Sequence, residues 1–324
     1  MRIIAEFCQN HNGDFDILRR MIDAAAAGGA THGKVQTIFA GDLARRERFE
    51  EGKTDPSGRV LTIKRPYQPE YDRLKKLELT YEQHRAFGEA CRNAGLEPLT
   101  TAFNLTCLPH LRELGWTAIK IASYDCGSLP LLEGVAATFN EIIVSTGATF
   151  DEEIDAAANT LKRLGKSFTF LHCVTVYPTP LDAMNLERMA WLRGFTPSVG
   201  LSDHSLVARD GIKAALAAIH LGADTIERHF TVLPEDQTRD GRVSIREEHL
   251  REIVAFSRLS PEEQQDYLAR YVPEFPVMLG QRTRPLSHEE MVNRDYYRGR
   301  FCNKVDGRDL FNWEDEVRCL IPAA

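Results

Sequence analysis

The chain has 324 residues, of which 43% are hydrophobic and 27% charged, and its formal net charge is -7. This is globular composition, long enough for one α/β barrel with an appendage. The acidic balance offers nucleic acid no basic face, and no apolar run approaches the roughly 20 residues of a membrane span.

In chain order, "RIIAEFC" (2–8) reads as a buried strand and "FDILRRMIDAAAAGG" (15–29) as a helix ending on glycine. The same pairing follows in "HGKVQTI" (32–38) with "YEQHRAFGEACRNAG" (81–95), then "EPLTTAF" (97–103) with "TCLPHLRELG" (106–115). It continues in "AIKIAS" (118–123) with "LPLLEGVAAT" (129–138), and "EIIVSTG" (141–147) with "DEEIDAAANTLKRLG" (151–165). "SFTFLHC" (167–173) precedes "LERMAWLRGF" (186–195), "PSVGLSD" (197–203) precedes "DGIKAALAAIHLG" (210–222), and "DTIERHF" (224–230) precedes "REEHLREIVAFSRL" (246–259). Near-continuous apolar strands joined by crossover helices predict a parallel sheet covered on both sides. Eight such units in roughly 260 residues predict a (β/α)8, TIM-type barrel. A doubly wound sheet would open with a Gly-rich turn, and "CQNHNGD" is not one.

In such barrels the chemistry sits at the C-terminal strand ends. That rim collects Glu6, Asn10 and His11, then Lys34 and Gln36, then Thr100, Thr101 and Asn104. Lys120, Ser123, Ser145, Thr146, His172, Thr175 and Tyr177 follow, with His204 and His229 ending the last two strands. A lysine at a strand end can snorkel to water, but Lys34 and Lys120 on one rim with several hydroxyls favour a phosphate or carboxylate pocket. Two imidazoles on neighbouring strand ends can hold a divalent ion and leave positions open. Asp203 and Glu227, close in sequence, are placed to fix their tautomers. Each histidine alone would read as a satisfied core residue, and His110, His220 and His249, in helical stretches, read as structural or solvated. Seven cysteines without a C-x-x-C pair, and a start lacking the apolar core of a leader peptide, read as a cytoplasmic protein.

The series "AEFCQNHNGD", "GKVQT", "IKIAS", "STGAT", "LHCVTVYPTP", "VGLSDHS" and "GADTIERHFT" resembles the sialic acid synthase family, the N-acetylneuraminate, legionaminate and pseudaminate synthases. The motifs fall in family order from residue 5 to about 231, with weaker similarity to about 320. The resemblance implies a barrel over 1–265, a linker over 266–284 and a shortened antifreeze-like (SAF) segment over 285–324. It implies condensation of phosphoenolpyruvate with an N-acylated sugar aldehyde to a nine-carbon 2-keto-3-deoxy acid and phosphate. A divalent ion, Mn²⁺ first and Mg²⁺ or Co²⁺ as alternatives, would be held by His204 and His229. Phosphoenolpyruvate would contact Lys34, Thr101, Lys120, Ser123, Ser145 and Ser202. The sugar site would include Tyr177 and Glu227, with Thr175 and Asp240 as further substrate contacts. Glu227, Lys120 and Lys34 are the implied catalytic residues.

There are departures from the pattern. The usual Gly-Pro-Asp stretch after the last strand reads "DQTRDGRVS", keeping Asp240 and Ser244 but not the Gly-Pro. Thr175 stands where relatives often carry Ser or Asn. Residues 39–79 hold a basic, proline-broken insertion, read either as a solvated loop or as a segment folded over the site. The tail "RDYYRGRFCNKVDGRDLFNWEDEVRCLIPAA" matches only the first half of an antifreeze-like domain. The family's domain-swapped homodimer would place such a tail on a partner barrel, with Arg298 or Arg300 reaching the sugar's acyl group. Tyr296, Tyr297, Phe301, Phe311 and Trp313 would be covered there, since so short a segment buries little by itself. Two other readings stay open: a Schiff-base keto-acid aldolase using Lys120, and a non-catalytic barrel subunit.

Overall fold

A computed structural model describes residues 1–321; residues 322–324 of the expected antifreeze-like segment lie outside the described residues. Eight parallel strands form a closed barrel: β1 (Arg2–Cys8), β2 (His32–Gln36), β3 (Glu97–Ala102), β4 (Ala118–Ile121), β5 (Glu141–Ser145), β6 (Ser167–Cys173), β7 (Val199–Asp203) and β8 (Thr225–His229). Their order around the barrel is β1-β8-β7-β6-β5-β4-β3-β2. Each predicted strand is present, shifted by at most two residues at its ends, because each is an apolar run that only a sheet covered on both faces can bury. Ile142, Ile143 and Val144 of β5 have no exposed surface. Gly200 in β7 is required by the pairing with β8: a Cβ there would lie 1.9 Å from the Thr225 carbonyl oxygen.

The helices follow the predicted periodicity. In Phe15–Ala27 the buried residues are Leu18, Met21, Ile22 and Ala25, one helical stripe, and Asp14 caps the start by accepting from the Asp16 and Ile17 amides. The helix expected over 210–222 is Lys213–His220, and a separate short helix, Val207–Asp210, precedes it, with Gly211 at φ +57° between the two.

The chain divides into two compact units. The first comprises Met1–Gln36, Glu82–Thr100 and Thr169–Arg284. It includes the whole of the stretch 266–284, expected as a linker. Residues 266–284 carry the end of the helix Pro261–Tyr271 and a second helix, Phe275–Leu279, with Leu268, Val272 and Met278 buried. The carbonyls of Met278 and Leu279 accept from the amides of Leu186 and Glu187, both at 2.9 Å. A segment with that many apolar residues and satisfied backbone groups packs rather than links.

The second unit comprises Thr37–Tyr81, Thr101–Phe168 and the chain from Pro285 onward. The 39–79 insertion is not a solvated loop. It forms the short helix Arg48–Glu51, a two-stranded hairpin (Lys53–Thr54 with Val60–Thr62) and the helix Tyr67–Leu77. Ala40, Leu43, Leu74 and Phe301 share one buried cluster with Ile38. The C-terminal helix His288–Tyr297 opens with a capping box between Ser287 and Glu290. Arg46 of the insertion donates to the carbonyls of Asp295, Tyr296 and Arg298, while the Ala44 amide donates to the Arg300 carbonyl. Tyr296 and Phe301 are 3% and 5% exposed within this chain. The cover that the sequence reading sought on a partner barrel is therefore supplied, for those two rings, inside the same unit. Trp313 remains exposed, stacked on Phe311. Among the described residues no helix is long and apolar enough to cross a membrane.

Candidate active site

The first unit gathers charge at the ends of β1, β2, β7 and β8. Lys34 is buried between two carboxylates, in ion pairs with Glu6 and, at 3.3 Å, with Glu227 Oε2. Register brings them together: Glu6 faces Lys34 across β1–β2, and Glu227 pairs with Ser202 across β8–β7. Ser202 Oγ donates to Glu227 Oε1 at 2.8 Å, and Glu6 Oε1 accepts from the Cys8 amide at 2.6 Å. Burying three charges is tolerated because each has a partner.

Beside this trio stand the imidazoles. The rings of His204 and His229 lie 5.1 Å apart at 64°, and Tyr177 leans on His204 at 4.3 Å. His229 Nδ1 is buried with no hydrogen-bond partner among the described residues, 3.7 Å from Asp240 Oδ2. Burial holds His229 below its ordinary pKa, opposed by the nearby Asp240 charge. That direction favours the neutral imidazole, the form that binds metal. Cys8 Sγ donates to the same Asp240 Oδ2 at 2.9 Å, and burial, reinforced by Asp240, pushes its thiol well up. Asn10 ties the region together, donating to the Phe230 carbonyl and to Ser244 Oγ, which donates to the Asp240 carbonyl.

The acidic neighbours do not hold the imidazoles as their sequence positions suggested. Asp203 and His204 are consecutive in extended chain, so their side chains point to opposite faces. Asp203 instead pairs with buried Arg228 and accepts from the Ser205 amide at 2.8 Å. Glu227 is turned to Lys34 and Ser202. The carboxylate beside His229 is Asp240, eleven residues further on. Thr175 is buried in this unit, and Tyr177 is 44% exposed. His11 and His172 are structural. The first accepts from the Gly13 amide and is held by burial at a pKa of about 4; the second contacts the Met184 carbonyl at 2.6 Å.

At its strand ends the second unit presents hydroxyls and Lys120. Thr101 and Lys120 are register partners across β3–β4, and both are buried. Ser123 Oγ accepts from the Gly147 amide at 3.1 Å, and Thr149 Oγ1 donates to the Ser123 carbonyl at 2.8 Å. Ser145, the last residue of β5, has its Oγ buried with no hydrogen-bond partner among the described residues. Asn104 is committed elsewhere, bridging the Cys302 carbonyl and the Cys107 amide. The two tail arginines differ. Arg300 is buried in an ion pair with Glu70 and lies over Phe301 at 4.8 Å. Arg298 is partly exposed, 3.2 Å from Glu153 and 4.9 Å from the Trp313 ring.

In the first unit a cation between carboxylates beside two imidazoles supports acid–base chemistry, and in the second unit buried hydroxyls with Lys120 support anion binding. A family model described as the NeuB family matches residues 21–265. The chain belongs to the NeuB family. It is 33% identical to the N,N'-diacetyllegionaminic acid synthase of Campylobacter jejuni, over 77% of this chain and 73% of that one. It is 27% identical to the pseudaminic acid synthase of the same species, over 99% and 87%. Among solved structures, a sialic acid synthetase from Leptospira borgpetersenii in complex with citrate matches with a TM-score of 0.67, at 29% identity over 90% of each chain. The family expected from the seven motifs is borne out, and membership makes this chain an enzyme, a synthase.

The sequence reading of this NeuB chain missed Cys8 and Arg228 and gave Glu6 no role. The signal for Glu6 and Cys8 lay in "AEFCQNH": a carboxylate and a thiol in the last three positions of a barrel strand. Arg228 had no such signal, since its meaning depends on Asp203 of the neighbouring strand.

Proposed function

We propose that the chain condenses phosphoenolpyruvate with an N-acylated hexosamine-type aldehyde, in a metal-dependent reaction. The products would be a nine-carbon 2-keto-3-deoxy acid and phosphate. The observation that carries this is the pair of imidazoles at the β7 and β8 ends beside the buried Glu6–Lys34–Glu227 trio. The names of two relatives, a legionaminic acid synthase and a pseudaminic acid synthase, support the same reading.

The residues fit a divalent ion: His229 Nδ1 is buried and unpartnered, and His204 is adjacent. Bound at His204 and His229, such an ion supplies Lewis-acid polarisation to the aldehyde oxygen. In the first unit Ser202 and Lys34 hold both oxygens of Glu227, so its carboxylate is oriented to handle protons of the reacting water and aldehyde. In the second unit Lys120, Thr101, Ser123 and Ser145 suit the phosphate and carboxylate of phosphoenolpyruvate. C3 of phosphoenolpyruvate attacks the aldehyde carbon. Water adds at C2, and the tetrahedral intermediate expels phosphate with cleavage of the C2–O bond. Tyr177 and Thr175 would line the sugar end, and of the two tail arginines the partly exposed Arg298 is better placed than Arg300 to meet an acyl group. The domain-swapped homodimer and a barrel–SAF division near residue 285 belong to the same reading, and light scattering of the full chain checks the first.

The test is phosphate release from phosphoenolpyruvate across a panel of N-acylated hexosamine aldehydes, using substrate labelled with heavy oxygen at the bridging position. The label should appear in phosphate. Excess chelator should abolish turnover and Mn²⁺ restore it. Label retained in the keto acid, or full activity in chelator, overturns the reading. Borohydride trapping of a keto acid on Lys120 would replace it with the aldolase.

A further inference from the structure

We infer that Cys8 and Asp240 join His229 as ligands of the divalent ion, so that the site presents a thiolate, an imidazole and a carboxylate. This rests on the metal reading above and extends its ligand set beyond the two histidines. Ligand atoms of Cys8, His229 and Asp240 all lie within 4.8 Å of one another. The Asp240 Oδ2 atom sits at the centre of the group, 2.9 Å from Cys8 Sγ and 3.7 Å from His229 Nδ1. Metal–ligand bonds of roughly 2.0–2.3 Å place donors on a common ion at about the second of these separations, so modest side-chain rotations suffice. His229 Nδ1 is buried with no hydrogen-bond partner among the described residues, Asp240 Oδ2 at 3.7 Å being too far to bond it directly. An ion among the three atoms would satisfy it.

The backbone adds a separate observation. Cys8 closes β1 at φ +50°, in the left-handed region that favours glycine. A side chain held there, pointing at Asp240, is retained against a conformational cost. A Cys–His–Asp nucleophile does not account for the arrangement. In that chemistry the imidazole takes the thiol proton and the carboxylate orients the imidazole, whereas here the thiol donates directly to the carboxylate. On binding, the Cys8 S–H bond breaks, its electron pair forms the sulfur–metal bond, and the proton leaves to solvent. A thiolate in the set shifts preference away from Mg²⁺ toward softer ions such as Co²⁺, Fe²⁺ and Zn²⁺.

The experiment loads the full chain with Co²⁺ alone and records its absorption spectrum. A sulfur-to-cobalt charge-transfer band in the near ultraviolet should accompany the visible ligand-field bands. Cys8→Gly, which suits the positive φ and should fold normally by circular dichroism, should lose the charge-transfer band and keep the ligand-field bands. Cys8→Ser should do the same and narrow the preference for Co²⁺ over Mg²⁺. Cys173 is the other thiol near the imidazoles, 3.8 Å from His204 Nδ1, and Cys173→Ala should retain the charge-transfer band. Asp240→Asn should weaken Co²⁺ binding by at least the roughly 10–100-fold seen when an outer-shell partner is lost, with the band still present. Co²⁺ bound without the charge-transfer band, or a band that persists in Cys8→Gly, overturns the thiolate ligand and leaves the two-histidine reading standing. No Co²⁺ bound in equilibrium dialysis overturns both.

Discussion

Ser202 in the first unit and Ser145 in the second both lie buried near the end of a barrel strand, yet they are built differently. Ser202 Oγ is engaged with Glu227, inside a set of charged groups that partner one another. Ser145 Oγ has no hydrogen-bond partner among the described residues. The first unit's polar groups hold each other, so removing one leaves another buried and uncompensated. The second unit's hydroxyl is available to something the chain does not itself supply. Folding and ligand binding should therefore be coupled in the first set of residues and separable at Ser145.

The largest effect should come from Lys34→Met. It leaves Glu6 and Glu227 buried without their cation, and breaking such a pair costs about 3–5 kcal/mol. Urea denaturation should show that loss at pH 7 and partial recovery at lower pH, as a carboxylate takes a proton. A loss under 1 kcal/mol (an ordinary surface effect) would mean the trio is not coupled.

Next is the acid limit of the second unit, set by the ion pair that buries Arg300. Burial alone would raise the Glu70 pKa, but hydrogen bonds from Arg73 and the charge of Arg300 bring it from 4.5 to about 2. A depressed carboxylate pKa contributes stability that is complete above about pH 4.5 and is lost as pH falls toward 2. Solvent screening at this partly open ion pair keeps that contribution to about 1 kcal/mol. Glu70→Gln should flatten the stability curve across that window. An unchanged slope would remove Glu70 as the acid-sensitive group.

The serine pair gives the sharpest test. Ser202→Ala should cost about 1.5–3 kcal/mol, the worth of a hydrogen bond to a charged group. Ser145→Ala should change stability by less than about 0.5 kcal/mol, since no hydrogen bond of its hydroxyl among the described residues is lost. It should weaken phosphoenolpyruvate binding, measured by calorimetry. Equal stability losses at both serines would erase the distinction between the units.

Much of this was legible in the sequence. The eight strands and the glycine stops of several helices could be read directly because they rest on short-range causes: apolar runs of strand length, helical stripes, and residues that tolerate left-handed backbone. Gly29, Gly95, Gly165 and Gly222 all stand at positive φ after their helices. The candidate site was legible as a set of strand-end positions for the same reason, since alternation along a strand determines which residues share a face. The break at Gly211 and the packed helices of 266–284 were not read, although a glycine and an apolar stripe marked them.

What the sequence by itself determined is the barrel, its family and the residues that reach the strand ends. Only tertiary structure decided who partners whom. Asp203 stands next to His204 in the chain and binds Arg228 instead, while Asp240, eleven residues beyond His229, is the carboxylate beside it. The tail's Tyr296 and Phe301 looked too apolar for so short a segment, and residues of the 39–79 insertion cover them. In each case the pairing joins residues far apart in sequence or facing away from their neighbours. Its energy comes from matching a buried charge or ring to a complement that only the folded chain brings within reach.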